Sequence, residues 1–186
     1  KHDPFVYFHS IIDDRARCER HVVNLDALAR DLDAVATTPN YAFITPNLCH
    51  DGHDLPCRNG EPGGLVSADA FLREWVPRIV QSPAFRQDGL LVVTFDEGVL
   101  DSTACCGERS LPGGPAPGRD GPGGGRIGAV LIAPSIAPGT VSDVPYNHYS
   151  LLRWIEDDFG LARLGHAAAT DLATFGDDVF TAPPRH

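Results

Sequence analysis

The sequence feature that most constrains the fold is an apolar run that ends in two adjacent acids. Residues 90–95, Leu-Leu-Val-Val-Thr-Phe, carry no charge and are followed directly by Asp96 and Glu97. A short run without polar alternation is typical of a strand in a sheet that is covered on both faces. Because open α/β sheets bind ligands at the carboxyl ends of their strands, the run predicts that both carboxylates lie at a binding edge.

The two carboxylates favour a cation site. Adjacent carboxylates repel each other and lose solvation unless a cation or hydrogen-bond donors compensate them. Asp96 and Glu97 offer the oxygen ligands that a hard divalent cation prefers, and the sequence does not indicate which metal it is. The residues alone leave a second interpretation open, in which Asp96 caps the following loop and Glu97 lies in solvent.

The rest of the chain predicts an alternation of strands and helices. Apolar patterns predict strands at 5–8, 41–44, 90–95 and 127–133, and helices at 21–33, 67–81 and 148–159. This order predicts an α/β fold with a largely parallel sheet sandwiched between helices. A chain of 186 residues fits a single domain with a substantial core.

Local signals set the expected boundaries of these elements. Ser67 and Asn147 are suitable N-caps for the second and third helices. Pro77 falls inside a helical pattern, which predicts a kink or a restart there. Residues 98–126 are rich in Gly and Pro and predict a long functional or mobile loop. Beyond about Leu164 no strong period remains, so this part is predicted to be a tail.

The charge balance excludes some partners. The formal net charge is −10, which argues against broad binding to nucleic acid or anionic membranes because no basic stripe is available. A small anionic substrate needs only a local positive site and stays compatible with this charge. No apolar run approaches the length of a membrane span, so stable membrane insertion is not expected.

The cysteine pattern points to export rather than to a zinc template. The five cysteines match no standard zinc-ligand spacing. Cys49 and Cys57 flank a short polar loop and could form a disulfide, which favours a secreted or cell-envelope protein. The pairing of Cys18, Cys105 and Cys106 stays open.

Three predicted element ends carry polar side chains that could act together. They are the segment 50–54 (His-Asp-Gly-His-Asp), the pair Asp96 and Glu97, and His148 in the first turn of a helix. Carboxylates hold a cation, whereas histidines and a helix N-terminus attract an anion. A phosphate ester bound to a divalent metal would use both, and we expect the three groups to converge. The alternative is that the histidines are structural and that the Asp-rich turn satisfies its own backbone.

Four segments, in combination, resemble the phosphoesterase family of bacterial phospholipases C and acid phosphatases, within the alkaline-phosphatase-like superfamily. They are residues 1–5 (KHDPF), 44–54 (ITPNLCHDGHD), 94–98 (TFDEG) and 147–152 (NHYSLL). The resemblance extends from Lys1 to about Leu161. It implies an exported hydrolase of phosphate mono- or diesters, built on an α/β sandwich with a hydroxyl nucleophile and a metal held partly by carboxylates.

The resemblance assigns roles to individual residues. Asp96 and Glu97 match the acidic metal-ligand pair of the family. His2 and His53 match positions that contact the phosphate or protonate the leaving group. The candidate substrate-binding residues are His2, His53, Asp54 and His148.

The chain departs from the family pattern in one respect. In the family, a Glu-Asn metal motif and a Ser or Thr nucleophile precede the segment that begins here with Lys1 and His2. The chain also lacks a G-x-S-x-G motif. We therefore expect it to be the carboxyl-terminal part of a metal-dependent enzyme that works through a phosphoenzyme. An amino-terminal segment or a second chain would supply the nucleophile, and residues 1–186 alone would be weakly active or inactive.

Two alternatives from other classes remain open at this stage. One is a non-catalytic phosphate- or metal-binding domain of the same fold. The other is a glycosidase-like hydrolase, which needs two carboxyl groups about 5–9 Å apart across a groove. Adjacent acids such as Asp96 and Glu97 are poorly placed for that arrangement.

Overall fold

The computed structural model describes residues 2–98 and 124–181. The chain divides into two compact units, Lys1–Gly89 and Leu90–His186, called here the N-terminal and the C-terminal unit. Most of the predicted loop at 98–126 lies outside the described residues, as do Cys105 and Cys106. None of the helices in the described ranges is long and apolar enough to cross a bilayer.

The N-terminal unit is helical in its described part. Its elements are a 3-10 helix at Pro4–Tyr7, α1 (His9–Ile12), α2 (Arg15–His21), α3 (Asp26–Asp31), α4 (Gly64–Gln81) and α5 (Pro83–Asp88). The predicted strands at 5–8 and 41–44 are therefore wrong, because the first is a 3-10 helix and the second has no regular structure.

Local capping explains the differences near the start of the chain. The Asp3 side chain accepts a hydrogen bond from the Phe5 N–H at 2.9 Å, and Pro4 occupies the first helical position. An Asp followed by Pro favours a helical turn over an extended strand. The predicted helix at 21–33 is also shorter than expected, since α3 begins only after Asn24, whose side chain accepts from the Asp26 N–H at 3.2 Å.

The long helix α4 begins earlier than predicted. Its N-cap is Gly63 rather than Ser67, although the Ser67 hydroxyl accepts a hydrogen bond from the Gly63 N–H at 3.0 Å. The helix runs through Pro77 without the restart that was one of the two expectations there. It ends before Ser82, whose hydroxyl caps α5.

The C-terminal unit combines a small sheet with helices. The strands β1 (Leu91–Thr94) and β2 (Ala129–Ile132) pair antiparallel, with Leu91 opposite Ile132. They are followed by α6 (His148–Asp158) and a 3-10 helix at Gly165–Ala168. Helices with a small sheet are compatible with an α/β fold, but the predicted parallel sheet is not confirmed. The apolar strands are only half covered, since Val130 remains 59% exposed.

The predicted N-cap of α6 is confirmed. The Asn147 side-chain oxygen accepts hydrogen bonds from the N–H groups of Tyr149 at 2.9 Å and Ser150 at 3.1 Å. In return the Ser150 hydroxyl accepts from the Asn147 N–H at 3.2 Å, which completes a capping box. This local arrangement fixes the first residue of α6, which is His148.

Residues 165–181 are a packed part of the unit and not the predicted tail. Ala167, Val179 and Phe180 are buried. The Phe180 ring stacks on Trp154 with 5.7 Å between ring centroids. Thr181 donates two hydrogen bonds to the Ser135 carbonyl oxygen, from its N–H at 2.9 Å and from its hydroxyl at 2.8 Å.

Asp178 attaches the same segment to the loop before α6. Its carboxylate accepts hydrogen bonds from the Ser142 hydroxyl and, at 2.7 Å, from the Tyr146 hydroxyl. Burial raises the pKa of Asp178, but the bonds from Ser142, Tyr146 and the Gly176 N–H outweigh it, so the pKa lies below its usual 3.8. Burial and then the bond to Asp178 raise the pKa of Tyr146.

Candidate active site

The N-terminal unit brings two predicted catalytic histidines into one hydrogen-bonded cluster. The His2 Nδ1 lies 2.8 Å from one carboxylate oxygen of Asp51, and the other oxygen accepts from the His53 N–H at 2.8 Å. The His53 Nδ1 in turn lies 3.1 Å from the Asp54 carboxylate. The two imidazole centroids are 6.0 Å apart. Thus the structure brings together three of the predicted site residues, His2, His53 and Asp54, and adds Asp51 to them.

A tight turn positions this cluster. The Asn47 side-chain oxygen accepts from the N–H groups of Cys49 and His50, each at 3.1 Å. The predicted disulfide between Cys49 and Cys57 is confirmed, with 5.2 Å between the Cα atoms. Closing a loop of this length reduces the entropy of the unfolded chain and stabilises the fold by about 2.5 kcal/mol.

Close contact with the start of α4 holds the other end of the turn. The Gly64 N–H donates to the Asp54 carbonyl oxygen at 2.8 Å. Gly63 has a φ of +71°, and a Cβ at this position would overlap the same carbonyl oxygen. Only glycine combines this dihedral angle with so close an approach, so Gly63 fixes the Asp54 backbone against α4.

The carboxylates determine where each imidazole carries its proton. An ionised carboxylate only accepts hydrogen bonds, so the Nδ1 atoms of His2 and His53 are the protonated nitrogens. The side chains are 29% exposed in His2 and 49% in His53, against 12% in Asp51. The arrangement suits anion binding and proton transfer by two oriented histidines.

Asp96 and Glu97 follow β1 in the C-terminal unit, as predicted. Both residues are exposed, and one Asp96 carboxylate oxygen accepts from the Glu97 N–H at 3.1 Å. That bond is the capping role left open by the sequence. The exposed carboxylates also fit a hard divalent cation by their donor chemistry, as two of the roughly six to eight oxygen ligands that such ions take.

His148 has a structural role that the sequence left undecided. Its Nε2 lies 2.8 Å from the Asp96 backbone oxygen. A carbonyl oxygen only accepts, so Nε2 carries the proton and joins the start of α6 to the turn that bears the two acids. The predicted convergence of all three groups stays a prediction.

A second group of polar side chains lies at the disulfide, and it includes Glu61, which the sequence did not indicate as a site residue. In the part of the chain that the structure describes, one group of potential metal ligands is present, formed by Cys49, His50 and Glu61, whose ligand atoms lie within 4.8 Å of one another. The Cys49 sulfur is in the disulfide and offers no thiolate in this form. The spacing of residues in the sequence does not indicate Glu61 as a ligand, because its contact with His50 depends on how the loop between them folds.

Comparison with known proteins gives consistent matches. A phosphate-repressible acid phosphatase of Penicillium chrysogenum is 28% identical over 168 residues, which cover 89% of this chain and 34% of that protein. An acid phosphatase of Aspergillus fumigatus is 28% identical over 168 residues, covering 89% of this chain and 31% of that protein. A phosphatidylinositol-3-phosphatase of Mycobacterium tuberculosis is 26% identical over 129 residues, covering 69% and 33%.

The chain thus spans about a third of the length of these curated relatives. The model of the phosphoesterase family matches residues 5–162. That match covers most of the chain, including the His53 turn, the two acids and the start of α6. The chain belongs to the phosphoesterase family.

Proposed function

We propose that the chain forms part of the active site of a phosphate-ester hydrolase of the acid phosphatase type. The observation that carries the proposal is the His2–His53 pair, in which each Nδ1 lies against a carboxylate oxygen. Membership of the phosphoesterase family and curated relatives that are named acid phosphatases support it. Those relatives are about three times longer than this chain. We therefore propose the activity for a protein of that length, of which residues 1–186 form a part.

The two histidines act on the phosphate and on the leaving group. A protonated imidazole attracts the phosphate by charge and can donate its Nε2 proton to a departing alkoxide. His53 is the more exposed ring, so we assign it the proton donation and assign His2 the phosphate contact. Asp51 and Asp54 are positioning residues, since they act on the substrate through these rings.

Asp96 and Glu97 would hold a divalent cation, which would neutralise charge on the phosphoryl oxygens when bound. His148 is then a positioning residue, because its Nε2 hydrogen bond keeps the turn that carries the two acids at the start of α6.

We assign the hydroxyl nucleophile of the phosphoenzyme route to a segment outside residues 1–186, which would correspond to the part of the relatives that this chain does not match. The remaining strands of an alkaline-phosphatase-like sheet would come from there too, and the exposed Val130 on β2 leaves apolar surface for them to cover. The disulfide supports an extracytoplasmic location.

The test compares turnover of a chromogenic phosphate monoester by variants of the full gene product. We expect His53→Gln to lower kcat by about 10²–10⁴-fold, the usual contribution of a general acid. Asp96→Ala should lower both the bound-metal content and kcat. His9→Gln is the matched control, because the His9 side chain is 85% exposed on a surface helix.

Unchanged kcat in both His53→Gln and His2→Gln would refute the assigned roles. Unchanged metal affinity in Asp96→Ala would refute the cation site. Phosphate binding without turnover by the full gene product would favour a non-catalytic domain. For residues 1–186 alone we expect little or no turnover, and a rate typical of enzymes would show that the chain has its own nucleophile.

A further inference from the structure

We propose that reduction of the Cys49–Cys57 disulfide creates a zinc site formed by the two cysteine thiolates, His50 and Glu61. In the oxidised chain the two sulfurs are bonded to each other, and a disulfide is not a zinc ligand. Reduction would turn them into two thiolates beside an imidazole and a carboxylate. Two sulfurs, one nitrogen and one oxygen are a complete ligand set for tetrahedral zinc.

Two of the distances between the proposed ligand atoms already match, or nearly match, those of a zinc shell. The Glu61 carboxylate oxygen Oε2 lies 3.5 Å from the Cys49 Sγ and 3.1 Å from the His50 Nε2. With Zn–S bonds of about 2.3 Å and Zn–N or Zn–O bonds of about 2.0–2.1 Å, neighbouring ligands of a tetrahedron lie roughly 3.3–3.8 Å apart. The two sulfurs, which are bonded to each other in the oxidised chain, must separate before both can bind the ion.

Outer contacts hold the carboxylate in place. The second Glu61 oxygen accepts a hydrogen bond from the Asn59 side-chain amide at 2.6 Å, and the Asn59 oxygen accepts from the Glu61 N–H at 3.1 Å. The Cys57 N–H donates to the Glu61 carbonyl oxygen at 3.0 Å. Metal-ligating carboxylates usually have such partners, which orient them before the ion binds.

The imidazole is oriented as well. The His50 ring stacks on Phe71 of α4, with 6.2 Å between centroids and 25° between the planes. This contact directs Nε2 toward Glu61. The side chains of His50 and Glu61 are 31% and 45% exposed, so an ion can reach them from solvent, whereas Cys57 is buried.

The chemistry balances with a dithiol as the reductant. The dithiol reduces the disulfide to two protein thiols, supplying two electrons and two protons, and is itself oxidised to a disulfide. Zinc binding then releases two protons as the thiols become thiolates. The ion would replace the covalent link between Cys49 and Cys57, so the turn that carries His53 would stay closed in either redox state.

This inference is independent of the proposed function, since it uses neither His2, His53 nor Asp96. The test uses the chain with Cys18→Ser, Cys105→Ser and Cys106→Ser, which leaves only the pair of interest. Co²⁺ is added to the oxidised chain and to the dithiol-reduced chain after anaerobic removal of the dithiol, because thiolate coordination gives cobalt a characteristic charge-transfer absorption. Competition by Zn²⁺ against a chromophoric chelator then gives the affinity.

We expect the thiolate–cobalt absorption only after reduction, with displacement of Co²⁺ by Zn²⁺. His50→Ala and Glu61→Gln should each weaken Zn²⁺ binding by about tenfold or more, because loss of even an outer partner commonly costs that much. His9→Gln and Glu19→Gln, on exposed helical positions, should leave the affinity unchanged. A variant with Cys49→Ser and Cys57→Ser should give no absorption.

Two results would overturn the proposal. One is a reduced chain that binds Zn²⁺ no more tightly than the oxidised chain, whether or not circular dichroism shows that its helices persist. The other is an affinity that His50→Ala and Glu61→Gln leave unchanged, since the two thiolates alone would then account for the binding.

Discussion

Replacing Asp51 by asparagine tests how the histidine cluster is held together. The carboxylate serves two donors at once, the His2 ring through one oxygen and the His53 N–H through the other, both at 2.8 Å. An asparagine side chain has one oxygen and one NH2 group. If the oxygen keeps the His53 N–H, the NH2 group faces the His2 Nδ1, which must then lose its proton. The variant should therefore move the His2 proton from Nδ1 to Nε2.

The expected loss of stability follows from the same bonds. Hydrogen bonds to charged groups contribute about 1.5–3 kcal/mol when well shielded. The His2 and Asp51 side chains are 29% and 12% exposed, so solvent screens part of this contribution. We expect the free energy of unfolding to fall by about 1–2 kcal/mol.

Urea unfolding measures the stability, and nitrogen chemical shifts of the imidazole report which atom of His2 is protonated. Asp13→Asn is a matched control, because the His9 Nδ1 lies 3.2 Å from the Asp13 carboxylate with the side chains 85% and 71% exposed. This surface pair should contribute no more than about 0.5 kcal/mol. If Asp51→Asn leaves both the stability and the His2 tautomer as they are, the proposed orientation of the cluster is wrong.

Two further substitutions test the supports around the site and in the C-terminal unit. Gly63→Ala should destabilise the chain by about 2 kcal/mol or more in thermal unfolding, because the new Cβ would overlap the Asp54 carbonyl oxygen. Gly60 also has a positive φ but lies in open space, so Gly60→Ala should cost only the backbone strain of about 1 kcal/mol. Equal losses of stability in the two variants would contradict the close approach of Gly63 to Asp54. Asp178→Asn should lower stability by about 1–2 kcal/mol at neutral pH. Because the pKa of Asp178 in the folded chain lies below 3.8, the stability that its ionised carboxylate contributes is full above that pH and is lost as the pH falls through the folded pKa. If the stability difference between Asp178→Asn and the parent is the same at all pH values, the hydrogen-bonding role of the carboxylate is contradicted.

The sequence predicts best those elements whose signals are local. The apolar run before Asp96 is a strand, and Asn147 begins a helix, because both depend on residues a few positions apart. The run at 5–8 has the same apolar character but follows an Asp-Pro pair that favours a helical turn. Hydrophobicity alone cannot separate these outcomes for so short a run.

The contacts that build the site are not local. His2 meets Asp51 across 49 positions of the chain, so no spacing motif predicts the pair. The family resemblance indicated His2 and His53 but not Asp51, whose carboxylate contacts both residues. Similarly, residues 165–181 show no period in the sequence, and single aromatic contacts, such as Phe180 on Trp154, pack them.

The attachment of Thr181 to Ser135 has a consequence for the order of events during synthesis. The two hydrogen bonds join residues that are 46 positions apart, so the loop after β2 stays incomplete until the last of these residues has left the ribosome. Domains commonly fold while the chain is being made. Here β1, β2 and α6 would emerge first and wait, with the Trp154 ring uncovered, until Phe180 and Thr181 follow. A pause in translation within this stretch would prolong exposure of that ring, and chaperone binding to stalled nascent chains should be strongest there.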